Sequence, residues 1–147
     1  MTDSVTLVRT FDAPQELVYS MFVTPEYFAT WFGTDQVDVP LDTFEMDVAI
    51  GGQWRAVMHL PDGTLKHWAG SFLELEPPNR VVFDLTDEPD NPERMPVTVT
   101  LRPVDGGTEL TLVQQTPGWP AEGRAALEHG YNAFLDSMGR LLERLPA

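Results

Sequence analysis

Apolar residues recur along this chain at two periods, and the change from one to the other marks its elements. From Pro120 to Pro146, the residues Leu127, Tyr131, Phe134, Leu135, Met138, Leu141, Leu142 and Leu145 return at spacings of three and four. That is the stripe of an amphipathic helix about six turns long. Glu128, Asp136, Arg140, Glu143 and Arg144 fall largely on the other side, and Pro146 ends the run. At the opposite end, Val5, Leu7, Arg9 and Phe11 alternate with Thr6, Val8 and Thr10, which makes a strand. Pro14 suits the opening of a helix with Leu17, Val18, Met21 and Phe22 on one side. Thr24-Pro25 caps and opens a second helix, which carries Tyr27, Phe28, Trp31 and Phe32 and stops at Gly33. These aromatics are more than a corner needs for its own packing. They belong either to the core or to the wall of a ligand site.

Strands follow from Thr43 to Gln115. Gly51-Gly52 marks a turn or bulge where a side chain would clash. Pro61-Asp62-Gly63 fits a three-residue hairpin loop with Gly63 left-handed. That loop pairs Leu60 with Thr64, Met58 with Lys66, Ala56 with Trp68 and Trp54 with Gly70. Trp54, Ala56, Met58, Trp68, Gly70 and Phe72 then share one face, and Arg55, His59, His67 and Ser71 share the other. A two-residue loop would reverse the faces of the return strand; the first register buries both tryptophans together. Pro77-Pro78-Asn79 turns the chain into Val81, Phe83 and Leu85. Residues 86–96, with Pro89, Pro92 and Pro96, read as a solvated loop. Val97, Val99 and Leu101 alternate along the next strand, and Asp105-Gly106-Gly107 closes a hairpin onto Leu110, Leu112 and Gln114. The order is one strand, two short helices, five or six strands and a long helix. Sheet and helix each have an apolar face and must bury it against the other.

Composition narrows the function. At 147 residues the chain is the length of one domain, residues 1–147, with neither repeats nor a dividing linker. Nine Lys and Arg stand against 23 Asp and Glu, a net charge of −14, which argues against nucleic acid and anionic membrane as partners. The absence of cysteine excludes thiol chemistry and thiolate metal sites. No apolar run reaches the roughly 18 residues of a membrane span, and the N-terminus lacks a signal-peptide pattern, so a cytoplasmic protein is expected.

Several local matches fall in a family's order: Ala13-Pro14 with Val18-Tyr19; Thr24-Pro25-Glu26 leading to Trp31; Gly51-Gly52-Gln53-Trp54-Arg55; Pro61-Asp62-Gly63; and Gly70-Ser71-Phe72-Leu73-Glu74-Leu75 with Pro77-Pro78. Gly106-Gly107-Thr108-Glu109-Leu110-Thr111-Leu112 then precedes the long helix. Over nearly the whole chain this pattern resembles the START-like (SRPBCC) superfamily. Within it, the pattern is most similar to single-domain relatives of the C-terminal domain of the activator of heat-shock-protein ATPase. The resemblance implies an α+β helix-grip fold, in which a curved antiparallel sheet wraps a long C-terminal helix and two short helices follow the first strand. It also implies a cavity between sheet and helix for lipids, polyketides or other apolar molecules, and for a few members cyclase or dehydratase activity. A link to stress response follows from the same resemblance. Where the family often has Trp near position 131 and His near 114, this chain has Tyr131 and Gln114.

The residues placed at such a site are Trp31, Trp54, Met58, Trp68, Phe72, Phe83, Leu85, Val99, Leu112, Gln114, Tyr131, Phe134, Leu135 and Met138. An apolar pocket with a few polar groups to fix orientation is how small molecules are held, and Tyr131 and Gln114 supply those groups. The alternative is that these side chains interdigitate and leave no void. No catalytic set emerges. His59 and His67 lie on the outer face as diagonal neighbours, His129 follows Glu128 on the long helix, and Ser4, Ser20, Ser71 and Ser137 lack a nucleophile elbow. Glu74 is the one acid the register turns inward, where burial would raise its pKa toward general-acid use. Neither metal nor cofactor is expected. Three functions follow: non-catalytic binding of a small hydrophobic ligand, a polyketide-cyclase-like enzyme working through Glu74, or a chaperone-associated module with an apolar patch around Tyr27 and Trp31. A homodimer is compatible with each.

Overall fold

The computed structural model describes residues 4–34, 37–88, 90 and 95–145. Strand β1 (Ser4–Phe11) leads into helices α1 (Gln15–Val23) and α2 (Pro25–Gly33). Strands β2 (Glu45–Met46), β3 (Gln53–His59), β4 (Leu65–Glu76), β5 (Arg80–Thr86), β6 (Met95–Val104) and β7 (Gly107–Gln115) follow, and helix α3 (Ala121–Arg144) closes the chain. All pairings among these strands are antiparallel, in the order β1-β7-β6-β5-β4-β3-β2. This is the curved sheet and long helix of the helix-grip α+β fold. No helix among the described residues is long and apolar enough to cross a membrane.

Local chemistry accounts for the element ends. The Pro14 carbonyl accepts from the amides of Leu17 and Val18, so Pro14 sits at the cap and Gln15 opens α1, one residue later than the sequence suggested. Pro25 occupies the first turn of α2, where its missing N–H costs nothing. Gly63 has φ +88°, and Leu60 and Thr64 bond across the loop at 2.9 Å, closing the three-residue hairpin. The expected register follows: Met58 pairs with Lys66, Ala56 with Trp68 and Trp54 with Gly70. Pro96 lies inside β6 opposite Asp84, so the strand begins earlier than expected. Pro89, Pro92 and Pro146 lie outside the described residues.

One expectation fails within β4. Phe72 pairs with Phe83, but the next partners are Glu74 with Val82, so Leu73 is an extra residue in a bulge. Strand alternation restarts one residue out of phase. Leu75 returns to the inner face, while Glu74 moves outward, half exposed and 3.4 Å from Arg80 Nε. The inward acid of the sequence reading does not exist.

Candidate functional site: a cleft beside Tyr131

Two regions lie between sheet and helix, and they differ in how far they are filled. Around Trp54 the space is solid. Trp54 is fully buried, and its ring lies 4.9 Å from Phe28 and 5.6 Å from Phe32. Phe32 also meets Trp68 at 5.3 Å and stacks on Phe134 at 5.2 Å. The aromatics of α2 thus occupy the volume that a deep chamber would need. Trp31 is 4% exposed, and its indole N–H donates to the Met21 carbonyl at 2.7 Å. Neither Tyr27 nor Trp31 supplies the apolar surface patch expected around them: Trp31 is core, and Tyr27 is partly buried and packs against that core. Among the described residues a small, largely enclosed void of about 10 Å³ lies between Phe22, Phe83, Leu112, Leu135, Met138 and neighbouring rings.

Toward the first half of α3 the layers part. None of residues 121–130 is buried, whereas Tyr131, Leu135, Met138, Leu141 and Leu142 are. A cleft of about 600 Å³ opens there, walled by Trp68 and Leu85 from the sheet and by Trp119, Leu127, Tyr131 and Phe134. Lys66, Thr86, Asp87 and Glu88 form its rim. Lys66 Nζ lies 3.2 Å from Asp87 and 5.0 Å from the Trp68 ring centre. Ala126 and Gly130, one turn apart, present little or no side chain and widen the opening. Volume does not distinguish this cleft, since others of about 600, 540 and 590 Å³ lie elsewhere on the surface. Its aromatic walls do, together with a buried polar pair at its inner end.

That pair is Tyr131 and Gln114. The Tyr131 hydroxyl donates to Gln114 Oε1, and both residues are buried. Burial pushes the Tyr131 pKa well above its ordinary value, so the phenol stays protonated and the bond persists. Among the described residues nothing accepts from Gln114 Nε2. Gln114 lines the cleft, so this amide donor and the lone pairs of the Tyr131 oxygen are polar groups at the end of an apolar hollow.

The family model for Activator of Hsp90 ATPase homolog 1-like protein matches residues 12–143. The chain belongs to this family. Solved structures resemble it over nearly the whole of its own length. Protein CV1439 from Chromobacterium violaceum is 27% identical, with all of both chains covered and a TM-score of 0.80. A protein from Arthrobacter aurescens is 25% identical, with 99% of this chain and 88% of that one covered and a TM-score of 0.82. DynU16, from the dynemicin biosynthetic locus, is 23% identical with a TM-score of 0.76. This chain spans 48% of its length, and at that identity only the fold is shared. No curated protein matches the chain significantly. The family and its START-like fold are thus the ones the sequence motifs resemble.

In this member of the family the residues named from sequence fall into three groups. Trp68, Leu85, Gln114, Tyr131 and Phe134 meet at the cleft. Trp31, Phe83, Leu112, Leu135 and Met138 line the small enclosed void, as Leu85, Tyr131 and Phe134 also do. Trp54, Met58, Phe72 and Val99 are core residues bordering neither space. Met58 instead receives the Trp68 indole N–H on its sulfur at 3.1 Å. Sequence reasoning missed Lys66, Thr86, Asp87, Glu88, Trp119, Ala126, Leu127 and Gly130 as cleft residues. Ala126 and Gly130 carried a signal, because two small residues four apart flank the stripe where it reaches Leu127 and Tyr131. His59 and His67 are exposed on the outer sheet face, offset by two positions, and His129 is exposed on α3.

Proposed function

We propose that this family member binds a small, mainly apolar molecule, without chemical change, in the cleft between one end of strands β4, β5 and β7 and the first half of α3. The observation that carries this reading is the convergence of Trp68, Trp119 and Phe134 on the buried Tyr131–Gln114 pair. Aromatic walls supply the affinity. Burying on the order of 200 Å² of apolar surface is worth roughly 5 kcal/mol before the cost of immobilising the guest. Gln114 Nε2 supplies orientation by donating to a carbonyl or ether oxygen of the guest, since discrimination comes from polar groups that must be matched. The cyclase-like alternative has lost its acid, because Glu74 stands on the outer face paired with Arg80.

Gly130 gives the direct test. A Cβ added there meets nothing within 4 Å, so Gly130→Phe should fold normally and fill the cleft. Apolar compounds that raise the melting temperature of the parent should fail to do so for G130F, and native mass spectra of the parent should retain the same compounds. Hits that stabilise both proteins equally would place binding elsewhere, and an aromatic and lipid library without a hit would end the reading.

A further inference from the structure

Resting on that reading of the cleft, the depth of the site and hence the shape of its guest follow from one side chain. Leu85, Tyr131 and Phe134 border both the open cleft of about 600 Å³ and the enclosed void of about 10 Å³ behind it. Tyr131 is tied to Gln114, and Leu85 is carried by the sheet. Phe134 closes the space between them as a partly buried ring, stacked on Phe32 at 5.2 Å and set edge-on to Trp31 at 5.7 Å. The void behind it is apolar and no larger than about one water molecule, far too small for an alkyl chain.

We propose that Phe134 is the floor of the site and its specificity-determining residue, restricting it to compact planar guests and refusing extended acyl chains. A flat ring system can lie against the exposed part of Phe134 and Trp68 and reach the Gln114 amide, burying a whole face. A long saturated chain would need to run inward past Phe134, where the space behind the ring is only about 10 Å³. The part left in the open cleft would remain wetted, and apolar transfer rewards only the area removed from water. Gly130, one helical turn earlier on the same side of α3, leaves the outer room that the guest occupies. The two positions divide the labour: 130 sets the width and 134 sets the depth. Taking the ring from Phe134 would join the void to the cleft and make a tunnel into the core.

The experiment titrates the full chain, as parent, Phe134→Ala and Phe134→Leu, with two uncharged probes, flavone and 1-dodecanol, followed by calorimetry. The parent should bind flavone at least ten-fold more tightly than dodecanol. F134A should gain ten-fold or more for dodecanol relative to flavone, with F134L between. Near-UV circular dichroism establishes that each variant is folded, and if F134A is not, the ratio in F134L decides. Equal binding of the two probes by the parent, or an unmoved ratio in a folded variant, overturns the role of Phe134 and leaves the cleft reading standing. Failure of both probes to bind parent and variant alike removes the cleft reading and this one with it.

Discussion

Gly70 lies in β4 under the indole of Trp54, and Gly130 lies in α3 beside Tyr131. A methyl group at Gly70 would stand 2.1 Å from the Asp84 carbonyl oxygen and 2.4 Å from Trp54 Nε1. At Gly130 it would meet nothing within 4 Å. The first glycine is required because a tryptophan and a neighbouring strand occupy the place of its side chain. The second carries the helix-weakening cost of glycine with no packing to explain it. Close packing explains the region around Trp54, and room for something else is the reading offered for the region around Tyr131. One region of the interior is closed by packing, and the other is left open.

The same substitution should therefore have opposite signs in the two regions. Gly70→Ala should cost about 3 kcal/mol or more, because the clash is with backbone and a locked ring rather than with a flexible chain end. Urea unfolding measures this, and a G70A protein as stable as the parent would mean that Trp54 can shift at little cost. Tyr131→Phe should cost about 1–2 kcal/mol, since it leaves Gln114 Oε1 without its donor. Its effect on pH dependence is the sharper readout. Burial raises the folded pKa of Tyr131 above its ordinary value of 10.0, so the folded state holds that proton more tightly than the unfolded chain. The resulting stability is whole below pH 10.0 and is lost as the pH climbs above it. In alkaline unfolding curves Y131F should lack that part of the loss. Gly130→Ala should add about 1 kcal/mol by helix propensity alone, and destabilisation there would show that the open side is packed after all. Smallest of all is the pairing of Arg9 with Asp136, 2.8 Å apart where β1 meets α3. With Asp136 more than half exposed, a double-mutant cycle should return less than about 1 kcal/mol.

Much of the architecture could be read from periodicity and turn chemistry, because both act locally. The alternation of β1, the stripe of α3 and the Pro61-Asp62-Gly63 loop each state their geometry within a few residues, and the loop alone fixes which residue faces Trp54. Leu73 illustrates what could not be read. Nothing in Phe72-Leu73-Glu74-Leu75 marks a bulge, since neither glycine nor proline interrupts it, yet the slip sends Glu74 to the outer face. The filling of the interior was illegible for a different reason. Whether Phe28, Phe32, Trp54, Trp68 and Phe134 mesh or leave a gap depends on summed volumes contributed by four separate elements, and no stretch of sequence carries that sum. The cleft escaped similarly. Its rim at Thr86–Glu88 and its wall at Trp119 follow the ends of β5 and β7, and only the fold brings them near Gly130.

Helix α3 behaves as a cantilever. Its root, from Tyr131 to Leu142, is clamped in the core, and its tip, residues 121–130, has no fully buried residue and touches the core through Leu127. A stiff beam converts a small tilt at the root into a larger displacement at the tip. Gly139 sits at that root, where a Cβ would touch the Phe11 ring at 3.4 Å, and the tip begins eighteen residues earlier, roughly 27 Å away along the axis. A methyl group at position 139 would make only ordinary contact there, whereas a larger side chain would press on Phe11 and push the root of the helix away from β1.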